Sequence, residues 1–152
     1  TGENIIGPYS NLQDFVMVHI GAGRGTIIGG HCSITHHSTV HGCTIGDNCL
    51  IGINATVMDD AVIGDNCIIA GHTIVPEGAQ IPANSIVAGV PGKVVKNRNN
   101  FVANRINAFI YHYNGLAYAK GEHRAWDTDA FHQASAAEQA SLEAELAALD
   151  AL

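Results

Sequence analysis

The chain has 152 residues and a formal net charge of −7 at pH 7. Its 7 Lys and Arg residues form no cluster, which argues against binding to nucleic acid or to an anionic membrane surface. No stretch has the pattern of a transmembrane helix or a signal peptide, so we expect a cytoplasmic protein of single-domain size.

An aliphatic residue recurs every six positions along the first part of the chain. The same period runs through Ile6, Leu12 and Val18, and again through Ile28, Ile34 and Val40. A small side chain follows most of these aliphatics four residues later. Hexapeptide periodicity of this kind is typical of parallel β-helices, in which each repeat is one short strand and a turn. The longest unbroken series consists of Ile45, Ile51, Val57, Ile63, Ile69, Val75, Ile81 and Val87.

Three hexads form one triangular coil of eighteen residues, so residues eighteen apart stack at a strand spacing of roughly 4.8 Å. The recurring aliphatic residue is expected to point into the prism, and the small residue to lie at a corner. The pattern resembles the left-handed β-helix superfamily, an exception to the right-handed crossover rule. We therefore predict an all-β left-handed parallel β-helix of about five coils over residues 1–96.

The hexad register stops after Val95, and the composition changes. Apolar residues at spacings of three and four predict one helix over about 98–120 and a second, rich in Ala and Glu, over about 131–149. Isolated helices of this length are marginally stable. We therefore expect the C-terminal tail, residues 97–152, to pack on the β-helix of its own or a neighbouring subunit.

Four cysteines lie in the repeat region. Cys32, Cys49 and Cys67 share the small-residue slot of the hexad, and Cys43 lies in a shortened hexad. A disulfide and a metal site are alternatives for such a column. The register favours a third interpretation, small buried thiols in a reducing compartment.

Two histidines follow inward-pointing aliphatic residues. His19 comes directly after Val18 and His41 directly after Val40, 22 residues later. If the four extra residues form a bulging loop at 21–25, the two histidines become vertical neighbours that can chelate one ion.

A third histidine, His36, comes two residues after an inward aliphatic and should lie around a different corner. Within one prism it points away from His19 and His41. In a closed cyclic trimer it can complete the set from a neighbouring subunit. Three imidazoles with an open fourth position form a catalytic rather than a structural zinc-type site.

Two segments resemble the metal-binding segments of the γ-class carbonic anhydrases. The family motif is N-[VIL]-Q-D with a histidine five residues on, followed by H-x4-H-G. Here the run Asn11-Leu12-Gln13-Asp14 precedes His19, and His36 and His41-Gly42 fit the second motif. The resemblance implies that the three histidines bind Zn²⁺, with Fe²⁺ or Co²⁺ as alternatives, between subunits of a homotrimer. It also implies reversible hydration of CO2 to bicarbonate.

A divalent ion held by three imidazoles lowers the pKa of its bound water to about 7, which gives a hydroxide able to attack a small electrophilic carbon. By resemblance, Gln13 would orient the hydroxide or hydrogen-bond bicarbonate. Asp14 has the same hexad position as His36, so we expect it to support that ligand or to form an interface ion pair. Tyr111 is similar to a tyrosine of the family's C-terminal helix that approaches the metal water. The asparagine sometimes found two residues further on is replaced by Tyr113.

Two features depart from the family. Most relatives begin with one or two more coils, whose arginine pairs with the aspartate of N-L-Q-D. The sequence begins at Thr1 directly in a hexad, so we expect either a piece of a longer chain or a naturally short protein, and Asp14 has no evident arginine partner unless Arg24 or a tail arginine substitutes. The loop after His19 also lacks the acidic residues proposed to shuttle protons, so we expect proton release to limit turnover and the enzyme to be slow.

Other functions fit the same sequence. A carbonic anhydrase-like metal-binding protein with a thioesterase role, or an accessory role in phenylacetate or carnitine pathways, would share the three histidines. A CoA-dependent hexapeptide acyltransferase would share the closing run 81–94 but usually relies on one catalytic histidine. A trimeric scaffold that has kept metal but lost activity is a further alternative.

Overall fold

The structure, a computed structural model, describes residues 2–151. Its short strands follow the hexads and form three sheets, each along one side of a triangular prism. The first sheet contains β1 (Asn4–Ile6), β4 (Thr26–Ile28), β7 (Thr44–Ile45), β10 (Val62–Ile63) and β13 (Gln80–Ile81). The second contains β2 (Asn11–Leu12), β5 (Ser33–Ile34), β8 (Leu50–Ile51), β11 (Ile68–Ile69) and β14 (Ser85–Ala88). The third contains β3 (Met17–His19), β6 (Thr39–His41), β9 (Thr56–Val57) and β12 (Ile74–Val75).

Adjacent strands in these sheets are parallel and come from successive coils, which confirms a parallel β-helix of about five coils. One further strand, β15 (Lys93–Asn97), runs antiparallel to β14 and lies outside the hexad pattern. It extends the second sheet beyond the last repeat.

The recurring aliphatic residues form the core of the prism. In the first sheet Ile28 pairs with Ile45, and Ile45 with Ile63, so identical side chains stack from coil to coil. All three are about 1% exposed. The four cysteines are also buried and free, which confirms the interpretation of small buried thiols. The six-residue period therefore identified the core correctly.

The first coil has an open side. Ile6 is 45% exposed and Leu12 is 39% exposed, whereas Ile28 and Ile34, their partners one coil later, are almost completely buried. The strands of the first coil have a neighbour on one side only. The inward aliphatic residues are thus fully buried only from the second coil onward.

Two helices follow the β-helix, α1 (Phe101–Tyr118) and α2 (Asp129–Asp150), with a single 3₁₀ turn at Ala125–Asp127 between them. The predicted positions are correct to within three residues at each end. The second helix begins earlier than predicted because Thr128 caps it, its Oγ1 accepting a hydrogen bond from the Phe131 N–H at 3.2 Å. In the described part of the chain no helix combines the length and hydrophobicity needed to cross a membrane.

The first helix docks on the β-helix of its own chain through an amide. Asn104, 2% exposed, donates from Nδ2 to the carbonyl oxygens of Asn48 at 2.9 Å and Cys67 at 3.1 Å. Asn48 in turn donates from Nδ2 to the Phe101 carbonyl at 3.0 Å. These bonds hold α1 against a corner of two successive coils.

Candidate metal centre

His19 and His41 lie side by side on the third sheet. The register of β3 and β6 pairs Val18 with Val40 and His19 with His41. The two imidazole rings stack with their centroids 4.8 Å apart and their planes 17° from parallel. The four extra residues between the two strands lie in a bulge closed by a bridge between Gly21 and Arg24. The structure therefore has the vertical histidine pair that the hexad count predicts.

Both rings of this pair have a hydrogen-bond acceptor at Nδ1. His19 Nδ1 lies 2.6 Å from the Ile20 carbonyl oxygen, and His41 Nδ1 lies 2.7 Å from Asp59 Oδ1. A carbonyl oxygen and a carboxylate can only accept, so each Nδ1 must carry the proton. In a neutral ring with the proton on Nδ1, Nε2 has a free lone pair, the state in which imidazole binds a metal ion. The donor set therefore fits a divalent cation.

His36 lies in the turn between β5 and β6, around a different corner from the pair. Its Nδ1 is 3.4 Å from Asp14 Oδ2, and the Asp14 carbonyl accepts from the next residue in the turn, His37, at 3.1 Å. Asp14 therefore stacks under His36, one coil below. Across residues 2–151 no three His, Cys, Asp or Glu side chains converge closely enough to hold an ion. His36 does not join His19 and His41 within one chain.

The remaining predicted site residues are placed as follows. Gln13 is half-buried beyond the end of β2 and donates from Nε2 to Asn11 Oδ1 at 3.2 Å. Asn11 donates from Nδ2 to Ser33 Oγ at 2.9 Å, so this amide pair is anchored to the second coil. Tyr111 lies exposed on α1. The functional roles of Gln13, Asp14 and Tyr111 stay predictions.

Cys43, two residues after His41, is a nearby alternative ligand. The side chain is 2% exposed, and burial raises the pKa of its thiol to about 11. Metal ions bind the thiolate. At neutral pH Cys43 therefore remains a buried thiol, and the imidazoles are the better donors at this position.

The sequence pattern did not identify Asp59 as a site residue. It lies in the turn after β9, one coil above His41, and its side chain is 27% exposed. The carboxylate reaches down to His41 one coil below. The register places Met58 rather than Asp59 directly above His41, so the repeat alone did not identify this carboxylate.

Arg24 does not substitute for the arginine partner of Asp14. Its guanidinium forms an ion pair with Asp60, the neighbour of Asp59. The pair joins the bulging loop of the first coil to the turn after β9. Within the described chain Asp14 contacts His36 instead.

Comparisons with known proteins agree with the hexapeptide-repeat fold. Residues 42–76 match the family described as Bacterial transferase hexapeptide (six repeats). The "Probable carbonic anhydrase" of Methanocaldococcus jannaschii is 56% identical over 92 residues, which cover 60% of this chain and 58% of that protein. "Gamma carbonic anhydrase 1, mitochondrial" of Arabidopsis thaliana is 38% identical over 63 residues, which cover 38% of this chain and 23% of that protein.

A solved structure of a hexapeptide transferase family protein from Anaplasma phagocytophilum superposes with a TM-score of 0.66 and 28% sequence identity. The match covers 75% of this chain and 67% of that chain. The curated relatives are matched over less than two thirds of their own length. The chain is a hexapeptide-repeat parallel β-helix protein. Its relatives also confirm its resemblance to the γ-class carbonic anhydrases.

Proposed function

We propose that this protein is a γ-type carbonic anhydrase that hydrates CO2 reversibly to bicarbonate. In this proposal three copies of the chain form a cyclic trimer with one metal site at each interface. His19 and His41 come from one subunit and His36 from its neighbour. The homologue from Methanocaldococcus jannaschii, at 56% identity, supports the assignment.

The observation that carries the proposal is the preorganised His19–His41 pair. Two stacked imidazoles with both Nδ1 atoms hydrogen-bonded and both Nε2 atoms free offer two of the three nitrogen ligands that a catalytic zinc-type site requires. His36 also has its Nδ1 turned toward a carboxylate, which leaves its Nε2 for the same purpose. When bound there, Zn²⁺ or another divalent ion supplies Lewis-acid activation of water near neutral pH.

The other residues have supporting roles in this proposal. Gln13 presents an amide near the first coil to orient the attacking water or to hydrogen-bond bicarbonate, and its contact with Asn11 limits its rotation. Asp14 fixes the ring of His36. Tyr111 is exposed on α1, where it is free to approach a site shared between subunits.

Proton release is the expected slow step. The loop 21–25 has no acidic side chain, and its one cation, Arg24, is paired with Asp60. Protons must therefore leave to buffer without a dedicated carboxylate in that loop, which favours low turnover. A cytoplasmic location is part of the proposal, since four free thiols suit a reducing compartment.

The test is a stopped-flow assay of CO2 hydration together with elemental analysis of the purified protein. We expect bound zinc-type metal and hydration above the buffer rate in the wild type, and loss of both in His41→Ala and in His36→Ala. His72→Ala is the matched control, because this exposed histidine lies in an equivalent turn with φ of +58°. Equal buffer-level rates for wild type and His41→Ala would refute the proposal.

A hexapeptide acyltransferase is the second candidate, because the Anaplasma phagocytophilum structure shares the fold. Acyl transfer with one histidine base would not require His19, His36 and His41 together. Titration with acetyl-CoA separates the two functions: a carbonic anhydrase should not bind it, whereas a metal-independent acyltransferase should. Metal binding without CO2 hydration would favour the thioesterase or accessory alternative.

A further inference from the structure

The carboxylate of Asp59 occupies a niche bounded by two glycines. A Cβ atom added to Gly21 would lie 2.5 Å from Asp59 Oδ1, and one added to Gly42 would collide with the same oxygen. Both glycines are buried, one beside each histidine of the pair. The space that their missing side chains leave is the space that the carboxylate fills.

The backbone of the turn holds Asp59 over this niche. The N–H of Asp60 donates to the Gly42 carbonyl at 3.0 Å, and the N–H of Gly78 donates to the Asp59 carbonyl at 2.8 Å. The turn is therefore tied to the coil below and to the coil above. The neighbouring carboxylate of Asp60 is held elsewhere by Arg24, so Asp59 alone faces His41.

The two histidines of the pair are oriented in different ways. His19 donates to a main-chain carbonyl, which no substitution can remove. His41 donates to the side chain of Asp59. The tautomer of His41 thus depends on one replaceable residue.

We infer that Asp59 is a positioning residue that holds the His41 ring in the Nδ1–H tautomer and aims its Nε2 at the metal site. This inference rests on the proposed function for its metal, but the contact between His41 Nδ1 and Asp59 is present without a metal, so the tautomer can be tested in the metal-free chain. Gly21 and Gly42 are needed for this contact, since any larger residue at either position would displace the Asp59 carboxylate from His41.

The first experiment needs no metal. In metal-free, ¹⁵N-labelled full-length protein at a pH of about 8, where an ordinary imidazole is neutral, ring nitrogen shifts report which nitrogen carries the proton. The His41 signals are assigned by their loss in His41→Ala. We expect Nδ1–H in the wild type, and a shift toward Nε2–H in Asp59→Ala. Asp59→Asn should keep Nδ1–H in part, because its amide oxygen can still accept.

The control is Asp60→Ala, which removes the adjacent carboxylate and should leave the His41 tautomer unchanged. If His41 stays Nδ1–H in Asp59→Ala, with the far-ultraviolet spectrum of the wild type, the inference is overturned. Should Asp59→Ala fail to fold, Asp59→Leu decides, because it has a similar size and no hydrogen-bond acceptor: a His41 ring that stays Nδ1–H in that variant overturns the inference.

The second experiment measures Zn²⁺ affinity by competition with a chromophoric chelator. We expect Asp59→Ala to bind Zn²⁺ about 10–100-fold more weakly than the wild type, as is typical when a residue that orients a metal ligand is removed. Asp60→Ala should match the wild type. A wild type that binds no Zn²⁺ would refute the proposed function while the tautomer result still decides the role of Asp59.

Discussion

Gly42→Ala gives a sharp test of the packing beside His41. Gly42 has φ of +55°, in the left-handed region, so an alanine there costs about 1 kcal/mol in backbone strain. The added Cβ would also lie 3.0 Å from the backbone N and Cα of Gly21 and would collide with Asp59 Oδ1. The Gly21 backbone cannot move easily, whereas the Asp59 carboxylate is the end of a side chain and can swing away. We expect a total loss of about 2–3 kcal/mol in the free energy of unfolding.

In Gly42→Ala the movement of the Asp59 carboxylate also breaks its hydrogen bond with His41, so the affinity for Zn²⁺ should fall about tenfold or more. Gly23→Ala is the matched control: Gly23 has φ of +77°, but a Cβ there meets no atom within 4 Å. Gly23→Ala should lower the free energy of unfolding by about 1 kcal/mol and leave the affinity for Zn²⁺ unchanged. Urea unfolding and chelator competition measure both quantities. Equal Zn²⁺ affinities for Gly42→Ala and Gly23→Ala would refute the reasoning.

Three further predictions concern the fold. Ile51→Ala, at a fully buried position, should lower the free energy of unfolding by about 2–5 kcal/mol. Leu12→Ala, on the open side of the first coil, should lower it by less than half as much. Equal losses for the two variants in urea unfolding would contradict this prediction. Asn104→Ala should cost about 1–3 kcal/mol in the same assay, because two buried carbonyls lose a donor, and an unchanged midpoint would argue against the docking of α1. The thiols should react with an aromatic disulfide reagent only after unfolding, and rapid reaction of the native protein would contradict the burial of Cys32, Cys43, Cys49 and Cys67.

The β-helix was predictable because one physical rule fixes nearly every coil. An inward aliphatic residue must recur every six positions, so Ile45, Ile63 and Ile81 locate the core without reference to distant contacts. The same count brings His19 and His41 together once four residues are assigned to a bulge. The helix boundaries were less accurate, because the start of α2 depends on a cap at Thr128 rather than on apolar periodicity.

Asp59 shows where the pattern alone was insufficient. The register pairs Val40 with Val57, so the residue directly above His41 is Met58, and Asp59 lies one place further along the turn. Its carboxylate reaches His41 only because Gly21 and Gly42 leave room for it. A contact that depends on the absence of two side chains is not visible in the hexad repeat, which describes the side chains that are present.

The most direct test of a shared metal site combines two inactive variants. His36→Ala and His41→Ala chains, each alone, should bind no metal in a trimer. Coexpressed with different affinity tags and purified as mixed trimers, they should recover about a third of the wild-type sites, since in a cyclic trimer of the two chains one interface of the three joins an intact His19–His41 pair to an intact His36. Zinc content and CO2 hydration at about that level would support the account. Mixed trimers as empty and inactive as the two parents would contradict it.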